Sequence, residues 1–278
     1  MSGRLADTIR LEHYLAKLGS VSSAGIGIFV TALIYVPVLL LALLSVSHNP
    51  YRGVPDGVTL HWYADLFADP RWEMPLLLSL FLAVIVALLC MVGALLAGRI
   101  LPRVRRGRSA LLLLFLLPLV MPGAVLGIQE FAFWRIFLHL RPGIWTLVIT
   151  LFLWSFPFAL LAMLVVTSRF DRRLIDAASD LGASPWRAFR DVELPLIMPG
   201  VTCAGMFGFL LSLTELPRSL FVRGGEMPLP VFLWAEASSR ASHVPLIYGL
   251  NTVIATVSVG LGALAVVLLG RSVRSKGA

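Results

Sequence analysis

Glu215 is an ionisable residue that follows an apolar stretch of the sequence. The preceding residues, FGFLLSLT at 207–214, predict a position at membrane depth. Charged groups in a membrane are costly to bury and usually take part in binding or transport. Pro217 is expected to break the helix and to free carbonyl groups that need partners or water. Arg218 lies three residues after Glu215, so two interpretations stand: an internal ion pair, or a site that binds a charged solute with the help of Thr214.

Gln129 and Glu130 form a second candidate for a substrate pathway, near the end of another apolar stretch. The alternative is that Glu130 only reaches the water at the membrane interface. Pro118, Pro122 and Gly123 interrupt the same stretch. Broken helices can line a cavity in which irregular backbone is tolerated, but such a break can equally serve to kink a helix for packing.

The other residue types that could do chemistry lack a supporting pattern. The five histidines are scattered without a metal-ligand spacing, and both cysteines lie in predicted spans, where they favour a role as small buried residues. No Gly-x-x-x-x-Gly-Lys-Ser/Thr loop for ATP is present, since Lys17 and Lys276 are the only lysines. Trp134, Trp145 and Trp154 favour the interfacial belt or packing. We expect no catalytic residue, metal site or bound cofactor, although a membrane-embedded enzyme stays open because triads are recognised by geometry.

A polar stretch between two apolar ones predicts a helix, a turn and a second helix. Gly182 can adopt the left-handed conformation that closes the first helix. Ser184 is then a good N-cap for the second, with Pro185 at its first position. Small side chains on the first helix let another surface come close. Four residues share one face of that helix: Leu174, Ala177, Ala178 and Leu181.

The second helix of this hairpin carries two aromatic residues. We interpret Trp186 and Phe189 as anchors behind the small face, and we expect the helix to end at Leu194 and Pro195. The alternative for the hairpin is an ordinary loop that folds onto its own protein.

The composition predicts an integral membrane protein. Hydrophobic residues make up 58% of the 278 residues and charged residues only 14%, whereas soluble domains carry about 25% charged residues. Spans in lipid must pair their backbone groups internally, so these are expected to be helices. Six segments are long and apolar enough to cross a bilayer: about 24–47, 75–98, 109–133, 143–166, 196–217 and 245–270.

The distribution of lysine and arginine predicts the orientation of these spans. With the N-terminus in the cytoplasm, 16 of the 23 basic residues fall on the cytoplasmic side, as the positive-inside rule requires. Both termini and the hairpin are then cytoplasmic. The net charge of +8 thus reflects orientation rather than nucleic-acid binding, because no aromatic-basic platform accompanies it. Residues 1–20 are expected to form an amphipathic cytoplasmic segment before a permease domain at 21–278.

The hairpin resembles the EAA loop of the permeases of ATP-binding-cassette importers. That loop has an acidic residue, two alanines, a glycine after a short gap, then Leu-Pro and a further proline. Here Asp176 stands where the family usually has Glu. The residues assigned to the coupling loop at 167–199 are Asp176, Ala177, Ala178, Leu181, Gly182, Ala183, Ser184, Phe189, Leu194 and Pro195.

The flanking sequence looks most like the second permease of polyamine-type importers. His61-Trp62-Tyr63, the region from Pro118 to Pro122, and Gly127-Ile128-Gln129 carry this likeness. Polyamine-type permeases have acidic residues at about the position of Glu215, so a polyamine-like or other small charged organic solute is the implied substrate. Because Arg218 stands beside this single acid, a small anion such as a phosphonate remains the alternative substrate.

The resemblance implies an all-α, six-span type I importer permease in the bacterial inner membrane. It also implies three kinds of partner: a second permease, two ATPase subunits that hold ATP and Mg²⁺, and a soluble substrate-binding protein. The first hairpin helix would dock on an ATPase. The rival hypothesis is an ion-gradient-driven secondary transporter or channel, although such proteins often show inverted repeats, which are not evident in this sequence.

Overall fold

The computed structural model describes residues 25–104, 106–239 and 244–274, and all regular elements in these ranges are helices. The amphipathic segment predicted at residues 1–20 lies outside the described residues. The described residues divide into two units, one with 25–68 together with 244–252, and one with those between 69 and 239 together with 253–274.

The first unit contains α1 (Gly25–Ser45), α2 (His61–Ala68) and the start of α12 (Val244–Arg274). The indole N–H of Trp62 donates to the Ser47 carbonyl at 2.8 Å, and Ser45 and Tyr63 share a hydrogen bond of 2.9 Å. These bonds tie the loop after α1 to α2. Most of α1 is apolar and exposed all round, which is typical of a helix that needs lipid or another subunit as its surroundings.

The second unit is built around three long helices. They are α3 (Glu73–Ile100), α6 (Ile144–Thr167) and α9 (Leu194–Thr214). Buried aliphatic side chains from all three form one core, and Leu82, Met163 and Ile197 are each almost fully buried in it. Gly208 of α9 lets the backbones of α9 and α3 approach, since a Cβ there would lie 3.0 Å from the Ala87 Cα. Small residues at such contacts are typical of membrane helices.

Shorter helices surround this core. They are α4 (Arg108–Leu116), α5 (Gly123–Ala132), α7 (Arg173–Asp180), α8 (Pro185–Arg187), α10 (Ser219–Val222) and α11 (Leu229–Ser239). Within the described residues, five helices are long and apolar enough to span a membrane, or six if the bent pair that contains α4 and α5 forms one span. The prediction of an all-α protein with six spans is therefore confirmed, with the bent pair counted as one span.

The third span is not one straight helix. The segments Arg108–Leu119 and Gly123–Phe137 meet at an angle of 98°. Pro118 lies in a tight 3₁₀ turn, and Pro122 has an extended ψ of 136°, so the chain changes direction between the two segments. The interruption expected within the span at 109–133 is therefore present, and the break lies where the sequence has its prolines.

The helix that follows the hairpin turn does not end at Leu194 and Pro195. It runs without interruption from Pro185 to Thr214, so the helix that contains the fifth span expected at 196–217 begins 11 residues before the expected start of that span. Residues Ala188–Glu193 form a π-helical stretch just before Pro195. The wider i→i+5 turns there let the chain pass a proline that has no N–H to donate.

Candidate functional site

Glu215 and Arg218 form a buried ion pair where α9 ends. Glu215 leaves the helix with a ψ of 110°. Its Oε1 accepts hydrogen bonds from Arg218 Nη1 at 2.8 Å and from the Arg218 backbone N–H at 3.2 Å. Only 5% of the Arg218 side chain and 7% of the Glu215 side chain are exposed. The internal ion pair, one of the two sequence interpretations, is therefore present at a place where removing one partner leaves a costly unpaired charge.

The guanidinium of Arg218 also lies on an aromatic face. Its Cζ is 3.8 Å from the centroid of the Trp154 ring, which is within the range of a cation–π contact. Trp154 belongs to α6, three residues before Pro157, a proline inside that helix. Trp154 therefore takes part in the polar cluster, which its assignment to the belt or to packing did not anticipate.

A second carboxylate reaches the cluster from α5. Glu130 accepts a hydrogen bond from the Thr150 hydroxyl of α6 and interacts electrostatically with both Arg218 and Glu215. This carboxylate is held inside the protein by α6 rather than reaching only the membrane interface. The two acidic residues singled out in the sequence, Glu130 and Glu215, are 85 positions apart and are brought together by the tertiary structure.

Two glycines let α5 come close to Arg218. A Cβ at Gly123 would lie 2.9 Å from Arg218 Nη1, and a Cβ at Gly127 would lie 3.0 Å from the Arg218 Cα. A Cβ at Gly127 would crowd the Arg218 backbone, and one at Gly123 would require the guanidinium to shift, so the start of α5 packs directly on the arginine. The break in the third span and the break after α9 therefore meet at this residue.

The structure does not bring every predicted pathway residue into the cluster. Thr214 is exposed, and its hydroxyl donates to the Leu210 carbonyl of its own helix at 3.0 Å. Gln129 is exposed as well, beside the half-buried Glu130. Glu130, Glu215 and Arg218 are thus the predicted residues that come together.

The cluster of Glu130, Glu215, Arg218 and Trp154 is suited to binding a charged group rather than to catalysis. It holds two carboxylates and one guanidinium with an aromatic face, so acidic groups outnumber basic ones. No group of three or more residues that could hold a metal ion is found in the part of the chain that the structure describes. Carboxylates and aromatic faces are the groups that bind organic cations in proteins.

The hairpin has the local structure that its sequence predicts. Gly182 has a φ of +83°, the left-handed conformation expected of the residue that ends α7. The N–H of Gly182 donates to the Ser179 carbonyl at 2.9 Å, and the N–H of Ala183 donates to the Ala178 carbonyl at 3.0 Å. The Ser184 side chain accepts from the Arg187 N–H and so caps the next helix. These predictions of turn and cap are confirmed.

The outer surface of the hairpin is open to solvent in this chain. The first helix, α7, has no buried residue, and Leu181 after it is 90% exposed. Trp186 is 66% exposed, whereas Phe189 is half-buried. The Trp186 ring packs against that of Phe189, with centroids 5.5 Å apart, while most of its side chain faces outward. A Leu and a Trp so exposed beside small residues form a surface fit for docking against another protein.

An ion pair joins the base of the hairpin to α3. The guanidinium of Arg99 donates two hydrogen bonds of 2.8 Å to the carboxylate of Glu193, in the forked arrangement that favours arginine. Arg99 also covers the ring of Phe189, with its Cζ 4.1 Å from the centroid. Glu193 is only 8% exposed at its side chain, so the pair is largely shielded from water.

Sequence reasoning did not identify this ion pair. Arg99 was counted as one of many basic residues at a span end, and Glu193 was not singled out. The available signal was that Glu193 is an acidic residue directly before a long apolar stretch, where a charge needs a partner. The partner lies 94 positions away, and only the packing of α3 against α9 reveals it.

A family model matches most of the chain. The model for the inner membrane component of binding-protein-dependent transport systems matches residues 91–275, which contain the polar cluster and the hairpin.

Several curated proteins are similar to this chain over most of its length. The putrescine transport system permease protein PotI of Escherichia coli is 30% identical over 254 residues, covering 87% of this chain and 89% of that protein. The spermidine/putrescine transport system permease protein PotC of Haemophilus influenzae is 26% identical over 240 residues, covering 85% and 91%. A putative 2-aminoethylphosphonate transport system permease protein, PhnV of Salmonella typhimurium, is 29% identical over 206 residues, covering 72% and 77%.

A solved structure shares the fold. A chain of a bacterial ABC transporter involved in the import of the acidic polysaccharide alginate superposes with a TM-score of 0.61, at 15% identity, covering 93% of this chain and 96% of that one. The family match and the permease relatives agree with the EAA-type hairpin and the broken, apolar helices described above. This chain belongs to the family of inner membrane permease components of binding-protein-dependent, ATP-binding-cassette importers.

Proposed function

We propose that this permease carries a small, positively charged organic solute such as a polyamine, and that Glu215 and Glu130 line its path. It works with a second permease, two ATPase subunits that bind ATP and Mg²⁺, and a soluble binding protein that delivers the solute. ATP closes the ATPase dimer, the hairpin at 171–192 is displaced, and the spans alternate between outward and inward openings. Such coupling requires that each state of the spans be favoured by a different ATP state.

The observation that carries the proposal is the charge of the buried cluster. Two carboxylates, Glu130 and Glu215, face one guanidinium, that of Arg218. An excess acid at membrane depth is expensive unless a cation joins it, which is why such residues mark substrate and ion pathways. The polyamine permeases among the relatives support the same charge.

The hairpin supports the proposed partnership with an ATPase. Its exposed surface includes Ala177 and Leu181, and the turn at Gly182 presents it away from the core. The ion pair of Arg99 with Glu193 fixes the base of the hairpin to α3. Displacement of the hairpin by an ATPase would therefore reach the spans through packed side chains.

The proposal is tested by Glu215→Gln, which removes the charge and keeps the shape. We expect uptake of a polyamine to fall at least tenfold, because a loss of about 1.5–3 kcal/mol is typical when a hydrogen bond to a charged group is removed. Assembly of the complex and basal ATP hydrolysis should remain. Glu226→Gln, a carboxylate of the next loop, is the matched control and should transport normally. Normal uptake by Glu215→Gln would contradict the proposed path.

A small anion is the second candidate substrate. The buried Nε–H of Arg218 has no hydrogen-bond partner in the described ranges, and one relative is named as a phosphonate permease. Anion recognition by Arg218 predicts that Arg218→Gln abolishes uptake while Glu215→Gln spares it. If Glu215→Gln alone fails but the double variant with Arg218→Gln recovers uptake, the two residues form a structural pair only, since removing both charges leaves neither unpaired.

A further inference from the structure

The surroundings of the Arg218 guanidinium have the features of a binding site for an organic cation. One side is the face of Trp154, at 3.8 Å from Cζ to the ring centroid. Another is the carboxylate of Glu215, at 2.8 Å from Nη1. Glu130 is a second acidic residue that interacts electrostatically with the same guanidinium. An aromatic face with carboxylates is the arrangement by which proteins hold ammonium and guanidinium ligands.

Arg218 fills this site but does not use all of its hydrogen-bonding capacity there. A guanidinium has five N–H donors. The Nε–H of Arg218 is buried and finds no acceptor among the described residues. A purely structural arginine at such depth usually has its donors paired, because a buried unpaired donor is costly. The side chains around Arg218 are therefore matched to the charge of the guanidinium better than to its full set of donors.

The backbone around Arg218 is arranged so that the guanidinium just fits. The absence of a side chain at Gly123 leaves room for Nη1, which a Cβ there would approach to 2.9 Å. Arg218 stands directly before α10, a helix of only four residues, and directly after Pro217. A short helix between two loops can shift without unwinding a long span. The backbone of Arg218 thus belongs to a short segment, while its guanidinium contacts Trp154 of α6 and Glu215 at the end of α9.

We propose that Arg218 is a resident cation, which occupies the substrate site when no substrate is present and is displaced when a cationic solute enters. The inference rests on the proposed cationic substrate. A permanent cation in the empty site keeps Glu215 from being buried unpaired, which would destabilise the protein in every transport cycle. The solute must then displace Arg218, so binding selects cations that interact more favourably with the same groups.

The charge of the site defines the class of solute that can do so. Once Arg218 has left, the site presents two carboxylates, Glu130 and Glu215, and the Trp154 face. A diamine can neutralise both acids, whereas a monoamine leaves one of them unpaired. The resident-cation model therefore favours an alkyl diamine over an alkyl monoamine of the same length, and it makes Trp154 a determinant of specificity.

The test removes the resident cation and asks whether an external one replaces it. The permease complex is purified in detergent with Arg218→Ala, and its Tm is measured with butane-1,4-diamine, butylamine or the uncharged butane-1,4-diol at equal ionic strength. We expect the diamine to raise the Tm of the variant, butylamine to do so less, and the diol not at all. The wild-type complex should respond far less at the same concentrations, because its site is filled. A ligand that binds only the folded state raises the Tm in this way.

Control variants locate the effect. Adding Trp154→Leu or Glu215→Gln to Arg218→Ala should weaken the response to the diamine, whereas Trp154→Phe keeps an aromatic face and should retain most of it. Arg223→Ala removes a nearby arginine outside the cluster and should create no response. If Arg218→Ala does not assemble, Arg218→Gln, which keeps more of the side-chain volume, replaces it. Failure of both to assemble even when the diamine is present throughout purification contradicts the model.

Two further results would overturn the inference. One is an equal effect of diamine and diol on the variant, and the other is an equal response of variant and wild type to the diamine. These outcomes are separate from the fate of the proposed function. If the diamine does not change the Tm of the Arg218→Ala complex, the resident-cation model is refuted even if Glu215→Gln abolishes uptake. Normal uptake by Glu215→Gln refutes the pathway whatever the Tm measurements show.

Discussion

At the scale of single residues, Glu193 and Arg99 show how a charge in an apolar chain is stabilised. The carboxylate sits in the π-helical stretch Ala188–Glu193, and its two hydrogen bonds reach across to the end of α3. Widened turns of this kind are frequent at functional sites. The pair places a fixed link between the hairpin and a core helix, and Phe189 is held under the same guanidinium.

Glu193→Gln should destabilise the permease, because it leaves the Arg99 guanidinium without its charge partner. Arg99 is 26% exposed at its side chain, so water partly compensates, and we expect a loss of about 2 kcal/mol in the free energy of unfolding. For a chain of this size that corresponds to a Tm lower by about 4–8 °C. A thermal unfolding curve of the purified complex measures it.

The neighbouring surface ion pair gives the matched control. Arg190 and Asp191 lie 4.0 Å apart with side chains 72% and 65% exposed. Exposed pairs contribute little, so Asp191→Asn should leave the Tm nearly unchanged. An equal fall in Tm for Asp191→Asn and Glu193→Gln would show that the shielded pair has no special role.

At the scale of elements, the hairpin α7–α8 presents an exposed surface beside a hydrogen-bonded turn. The carbonyl of Ala178 accepts a hydrogen bond from the N–H of Ala183. The Ala178 residue is half-buried, while its neighbours Ala177 and Ser179 are exposed. A Cβ at Gly182 would meet no atom within 4 Å, so a substitution there is opposed only by the positive φ of +83°. The turn is therefore sensitive to conformation rather than to crowding within this chain.

Ala178→Asp and Gly182→Asp should both insert into the membrane but lose ATPase binding and uptake. The first buries a charge at the proposed docking surface, which costs about 3–5 kcal/mol if it stays unpaired. The second forces a Cβ into the left-handed region, at a cost of about 1 kcal/mol or more, and adds a charge at the same surface. For Ala178→Asp, the cost of about 3–5 kcal/mol lowers the affinity for the ATPase by more than about 100-fold.

ATPase retention during purification through a tag on the permease, together with uptake, measures this effect. Asp176→Glu restores the residue usual in the resembled family and is the conservative control, expected to be nearly neutral. If Ala178→Asp and Gly182→Asp both retain the ATPase and transport normally, the hairpin is not the coupling element. Stable purification without any ATPase, with transport intact, would favour the secondary transporter.

At the scale of the whole molecule, the distribution of basic residues predicts which end of the spans faces the cytoplasm. Val58 is 76% exposed and lies in the loop predicted to be outside, whereas Ser109 is exposed beside the basic loop predicted to be inside. In a chain without Cys90 and Cys203, Val58→Cys should react with an impermeant thiol reagent in intact cells. Ser109→Cys should react only after the membrane is permeabilised. The reverse labelling pattern would invert the proposed topology.

Much of the fold could be predicted from the sequence because its signals are local. Apolar stretches of span length, with no water available to pair their backbone, can form only helices, and this predicted the five long helices. The turn at Gly182 and the cap at Ser184 likewise depend on the conformations open to single residues. Prolines marked the break in the third span, although not its angle of 98°.

The end of the second hairpin helix was predicted wrongly for a physical reason. Pro195 removes one backbone donor, which usually ends a helix. Here the π-helical stretch before it widens the turns, and the helix continues into the core through Ile197 and Val201. Local preference at one residue is therefore overridden by a geometry that depends on the neighbouring turn and on packing.

The sequence by itself determined that this is a polytopic helical membrane protein with an EAA-type hairpin and isolated charges at span ends. Only the tertiary structure decided which charges meet. Glu215 pairs with Arg218, Glu130 joins them through Thr150, and Trp154 supplies the aromatic face. The reason is that side-chain partners far apart in sequence are set by how helices cross and where they break. The pattern of residues along the sequence contains neither the crossing of the helices nor the angle at a break, even where prolines mark the position of that break.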